Sequence, residues 1–103
     1  MEKIDVDFGY IIPLDETDEV TAAILEIALK KKVAKHYHLK TREIEVILQG
    51  TVLVDGLEKS EGEILVWEIG QHHEYENPGS QTVQVLCIAI RKYDPADSCE
   101  IQR

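Results

Sequence analysis

No run of apolar residues in this chain of 103 approaches the ~20 that a membrane-spanning helix needs. The opening stretch, Met-Glu-Lys-Ile-Asp-Val-Asp, holds no apolar signal core. These two absences make the cytoplasm the expected location. Cysteine is scarce, and Cys87 and Cys99 are too few for a disulfide framework. Cys87 lies inside Val-Gln-Val-Leu-Cys-Ile-Ala-Ile and reads as a small core residue, while Cys99 reads as a free thiol in a polar tail. Basic side chains are in deficit, 11 against 20 acidic ones, for a net charge of -9. That balance opposes general nucleic-acid binding and docking on anionic lipid. A helix-turn-helix pattern is missing, so the chain is not by itself a DNA-binding regulator. No internal repeat or low-complexity segment occurs, and the length suits one domain, residues 1–103.

What is present is a series of short apolar runs cut by turn signals. Hydrophobic residues make up 44% of the chain, as in ordinary folded proteins. Residues 9–14 read as a short strand, and Pro13 suits an edge or a strand end. Residues 20–29 fit a strand, with a helix competing because Ala, Leu and Glu favour one. Residues 33–39, 43–49, 51–54, 57–60, 64–69, 72–77 and 82–92 follow as further strands. Asp55-Gly56 marks a hairpin, and Asn77-Pro78-Gly79-Ser80 marks a turn. Residues 1–8 and the tail 93–103 show little pattern. About eight strands, closely spaced and without a convincing helix, indicate an all-β sandwich or barrel.

Two stretches carry the chemistry. In the first, His36 and His38 are two apart and share one face of a strand, and Glu43 follows after a gap long enough for a turn. Two imidazoles and a carboxylate on one face suit a metal ion. The second stretch, residues 62–77, offers His72 and His73. The basic run Lys30-Lys31-Lys32 reads most simply as a charged turn.

The sequence His36-x-His38, four residues, Glu43, six residues, Gly50 resembles the first motif of the cupins. Gly62, five residues, Glu68-Ile69-Gly70, two residues, His73, three residues, Asn77 resembles the second. The resemblance spans roughly residues 20–92. It departs at Lys30, where a glycine is expected, and at Glu68, where a proline is expected. It implies a double-stranded β-helix (jelly-roll) barrel, with the strand at 9–14 and the tail as accessories. It also implies one divalent metal ion, held by His36, His38, Glu43 and His73. Imidazole with carboxylate suits Fe, Mn, Ni, Co or Zn alike.

Strand parity tests that set. With His73 inward, Tyr75 and Asn77 also point inward, and His72, Glu74 and Glu76 face water. The opposite choice buries two glutamates. Around Glu43 parity conflicts with simple amphipathicity, because Ile44, Val46 and Leu48 then point away from the metal. Both hold if the sheet is covered on each face, which predicts a homodimer through an outer sheet face. Glu45 shares the face of Glu43 and becomes a candidate general base, unless a bulge turns it outward. Tyr75 is a candidate hydrogen-bond donor behind the ligands, Trp67 a cavity wall or, more commonly for tryptophan, a core residue, and Tyr37 should point away.

The expected function is that of a small metalloenzyme of isomerase, epimerase or dioxygenase type, acting on a small oxygen-rich metabolite. The competing expectation is a non-catalytic, metal-dependent binding module for a small ligand.

Overall fold

The computed structural model describes residues 2–92 and 94–100. Its strands are β1 (Ile4–Val6), β2 (Gly9–Glu16), β3 (Val20–Ile27), β4 (Lys32–His38), β5 (Arg42–Gln49), β6 (Val52–Val54), β7 (Leu57–Lys59), β8 (Ile64–Trp67), β9 (His73–Glu76), β10 (Val83–Ile90) and β11 (Ser98–Glu100). A 3-10 turn, Pro95–Asp97, precedes β11. Among the described residues no helix is long and apolar enough to cross a membrane.

The strands form two antiparallel sheets, one ordered β1-β2-β3-β10-β5-β8 and the other β11-β4-β9-β6-β7. From β3 to β5 each strand crosses to the opposite sheet, and β8, β9 and β10 cross likewise. The four strands β3-β10-β5-β8 are therefore answered by β4-β9-β6-β7, which is the double-sheet jelly roll. The β1–β2 hairpin lengthens the first sheet beyond β3, and β11 lengthens the second beyond β4.

The turns follow from residue type. Asp55 and Gly56 both take positive φ, 49° and 83°, as the tight β6–β7 hairpin requires. Lys30, where a glycine was expected, adopts φ of 63°, the left-handed conformation glycine would take freely. The turn survives the substitution because the Lys30 N–H donates to the Asn77 carbonyl at 3.1 Å. The Asn77 N–H answers to the Lys31 carbonyl at 2.9 Å.

The inward row of β10 organises the interior. Val83 and Val85 are fully buried against Ile27 and Ile47 and belong to the apolar core with Val52, Val54, Trp67 and Tyr75. Further along the same strand Cys87 pairs with Glu45, and Ala89 pairs with Glu43. One end of the sandwich is thus hydrocarbon and the next two rows carry carboxylates.

Three expectations change. Residues 4–6 form a strand, although residues 1–8 show no pattern in sequence. Residues 98–100 form another in a tail that also lacks periodicity. Each is three residues long, too short to display alternation, and each exists by pairing with a neighbouring edge. The strand at residues 20–29 ends at Ile27, and pairing with both β2 and β10 overrides its helix propensity. Tyr93 and residues 101–103, part of the expected tail, lie outside the described residues.

Candidate metal centre

Two strands of one sheet and one of the other deliver the site. β4 brings His36 and His38, β9 brings His73 opposite His36, and β5 brings Glu43 from across the sandwich. A bulge in β4 makes this possible. Val33 pairs with Tyr75 and His36 with His73, so three residues of β4 span what two residues of β9 span. Strict alternation would turn His36 away from the face of Val33. The extra residue lets Val33 pack on the core while both histidines point into the interior.

The ligand atoms of His36, His38, Glu43 and His73 all lie within 4.8 Å of one another. Backbone carbonyls set the tautomers of two rings. Nδ1 of His36 is 2.7 Å from the Ala34 carbonyl, and Nδ1 of His73 is 3.1 Å from the Gln71 carbonyl. A carbonyl only accepts, so each Nδ1 donates, and in the neutral ring that leaves the inward Nε2 as the atom with a lone pair. Trp67 stacks on His73, with rings 4.6 Å apart and nearly parallel at 8°. The Gly70 N–H donates to the His38 carbonyl at 2.7 Å, so the corner after β8 fixes backbone beside His38 and His73 together.

The electrostatics ask for a cation. Glu43 Oε1 is sealed from solvent and makes no well-aligned hydrogen bond. Nε2 of His38 and of His73 approach it to 3.2 and 3.3 Å. Its other oxygen accepts the Cys87 thiol at 3.1 Å. Burial alone would raise the Glu43 carboxyl, but His38 and His73 outweigh it and hold the group well below the usual carboxylate range. Burial lowers His38 and the Glu43 charge outweighs it, so His38 is raised. Burial and the neighbouring His73 lower His36. One buried carboxylate facing three imidazoles is well matched to a divalent ion, and the residues fit one.

Behind the cluster Glu45 is buried on the inner face, and no bulge turns it outward. The Tyr75 hydroxyl donates to Glu45, and the Trp67 indole N–H reaches Glu45 at 2.7 Å and the Tyr75 oxygen at 2.6 Å. Burial, with the Glu43 charge beside it, pushes Glu45 up to about 8. Burial and the same two carboxylates push the Cys87 thiol well up. His73, Tyr75 and Asn77 are buried while His72 is exposed, and Tyr37 stacks on His72 at 4.9 Å. A cavity of about 870 Å³ opens over the cluster and extends to β1, β2, β3 and β11.

Sequence reasoning missed two contributors. Cys87 read as plain core, yet the parity of β10 sets it on the row of Glu45, and the register would have found it. Asp97 carried no signal. Its carboxylate accepts the N–H groups of Leu39 at 2.9 Å and Lys40 at 3.0 Å, which fastens the loop between His38 and Glu43. Burial would raise Asp97, but these N–H groups and the Thr41 hydroxyl outweigh it and the carboxyl is lowered. A lowered carboxyl contributes stability above its unfolded value of about 3.9 and loses it as pH falls through the lower folded value. Asp97→Ala should therefore cost about 3 kcal/mol near pH 7, since hydrogen bonds to a charged group count ~1.5–3 kcal/mol each. Urea unfolding of both proteins should show that gap closing below about pH 4.

No family model matches the sequence, and no curated protein matches it. Solved structures do. The chain is similar to KdgF from Halomonas sp., at 18% identity and TM-score 0.76, over 88% of this chain and 87% of that one. It is similar to a Klebsiella pneumoniae protein with a double-stranded β-helix domain, at 15% identity and TM-score 0.79, over 97% and 86%. A Lactobacillus farciminis oxalate decarboxylase matches at 19% identity and TM-score 0.81, over 97% of this chain and 33% of the enzyme. The cupin domain of Schizosaccharomyces pombe Cnp3 matches at 15% identity and TM-score 0.71, over 80% and 64%. With its two sheets, its strand order and these neighbours, the chain has the double-stranded β-helix fold of the cupins.

Proposed function

We infer that the protein is a small metalloenzyme in which His36, His38, Glu43 and His73 hold one divalent ion. The observation that carries this reading is the convergence of three imidazoles on a buried Glu43 oxygen that has no well-aligned hydrogen bond, at the floor of an open cavity. A bound ion would supply Lewis-acid polarisation of a substrate oxygen. The chain's own residues do the rest. Carbonyl contacts at Ala34 and Gln71 keep two Nε2 atoms turned inward. Trp67 and Tyr75 fix the Glu45 carboxyl beside the ligand carboxylate, where it is the group able to hold or move a proton. Isomerase, epimerase and dioxygenase chemistry on a small oxygen-bearing metabolite all suit that arrangement. Metal-loaded protein screened for O₂ uptake and for keto-acid or sugar conversion should reveal an activity that His38→Ala lacks. An activity left unchanged by that substitution contradicts the reading.

One observation favours a second reading, a non-catalytic module that holds a small ligand through the metal. The Glu45 carboxyl is 1% exposed and already engaged by both Trp67 and Tyr75. A ligand that stabilises the protein and is recovered unchanged would select this reading.

The assembly proposed is a homodimer through the outer face of the six-stranded sheet. Across β3-β10-β5-β8 two register rows there are apolar: Ala22, Ile88, Ile44 and Val66, then Ile24, Leu86, Val46 and Ile64. Ile64 is 65% exposed and Val66 40%. An apolar patch this continuous on a sheet is characteristic of an interface, and a two-fold pairing covers it with its own kind. Sedimentation should give a dimer at micromolar concentration, and Leu86→Lys with Val46→Lys a monomer. A wild-type monomer under those conditions contradicts the proposal. Both cysteines are free, which accords with a reducing cytoplasm.

A further inference from the structure

The cavity over the cluster has walls that the metal reading does not use. One inward register row runs Ile4, Ile11, Leu25, Val85 and Ile47 across five strands. Val85 and Ile47 are fully buried, Leu25 and Ile11 only partly so, and Ile4 is 46% exposed. The row that forms the core thus continues outward as bare hydrocarbon. Phe8, Pro13 and Val33 line the same space.

The polar lining argues in the same direction. Apart from the cluster, Glu45 and Tyr75, the neutral hydrogen-bonding side chains on the wall are the hydroxyls of Thr21 and Ser98 and the thiol of Cys87. The stretch made by Ile4, Ile11, Leu25, Phe8, Pro13 and Val33 offers no side-chain partner to a hydroxyl laid on it, and each hydroxyl left unpaired there costs ~1–3 kcal/mol. Asp7, Asp15, Glu16 and Glu100 line the cavity against one cation, Lys32. Those carboxylates repel a polyanion such as a nucleotide or sugar phosphate. The volume, about 870 Å³, exceeds what a chelating head alone would fill.

We propose that the ligand has two parts: one oxygen-bearing chelating head, neutral or singly charged, and an apolar body of several carbons lying on Ile4, Ile11 and Leu25. The proposal rests on the metal-centre reading for the head group only. The body is recognised by the chain's own apolar row.

Binding of a 2-oxo acid series tests it, with chain length as the variable. 2-Oxopropanoate, 2-oxopentanoate and 2-oxoheptanoate are titrated into zinc-loaded and chelator-stripped protein, with gluconate as the polar comparator. Trp67 is the single tryptophan and stacks on His73, so its fluorescence reports the site. Each added methylene should tighten binding about three- to fourfold, and the whole series on the order of 100-fold. Ile11→Ser should flatten the gradient, as should Ile4→Ser on a more exposed position should the first variant fail to fold. A gradient in either form of the protein supports the apolar wall. A flat series in both forms, or gluconate binding more tightly than 2-oxoheptanoate, overturns it. The metal centre is judged separately, by whether zinc tightens 2-oxopropanoate.

Discussion

Metal-stripped protein given a divalent ion at a thousandfold excess over the dissociation constant should melt at least about 15 °C higher. An ion that binds the folded state alone stabilises it by ~4 kcal/mol at that excess. A domain of about 100 residues shifts ~4–8 °C per kcal/mol. The size of the effect follows from the site. Without a cation the fold keeps Glu43 Oε1 away from water with two imidazole nitrogens 3.2 and 3.3 Å away. It also holds Glu45 and Glu43 together on one inner face. A divalent ion would balance the Glu43 charge and could use three nitrogen lone pairs at once. His36→Ala with His38→Ala should show no such shift, whatever its own melting temperature. A wild-type shift of less than 3 °C with zinc, manganese, nickel, cobalt and iron(II) alike would contradict the account.

Trp67→Leu should cost about 3–5 kcal/mol, the largest loss expected from one substitution around the site. The indole is 7% exposed, belongs to the apolar core and stacks on His73. Its N–H serves Glu45 and the Tyr75 oxygen together. Leucine leaves a cavity and two buried oxygens short of a donor. Trp67→Phe keeps most of the packing and loses the donor, so it should cost about 1–3 kcal/mol. Urea unfolding of the three proteins separates packing from hydrogen bonding. Equal losses for phenylalanine and leucine would assign the whole effect to the N–H.

Much of this was legible in the sequence. The strands between residues 9 and 92 followed from apolar runs cut by Asp55-Gly56, Gly62, Gly70 and Asn77-Pro78-Gly79. Such turn chemistry is local and needs no knowledge of partners. The choice of His73 over His72 followed from burial parity, because the alternative buried two glutamates. The conflict at Glu43 was legible as a conflict, and burial settles the facing: Glu43, Glu45 and Ile47 face inward while Ile44, Val46 and Leu48 face out. What parity could not supply was the bulge between Val33 and His36, since an inserted residue resets alternation without leaving a glycine or proline behind. Asp97 was invisible for a different reason. Its partners are backbone N–H groups more than fifty residues away, and no side-chain pattern encodes them.

The central claim is that His36, His38, Glu43 and His73 hold a metal ion. Elemental analysis of untagged protein tests it most directly, with wild type compared against the His36→Ala, His38→Ala variant purified in the same way. The account predicts close to one divalent ion per chain in the wild type and background in the variant. Equal metal content in the two would contradict it.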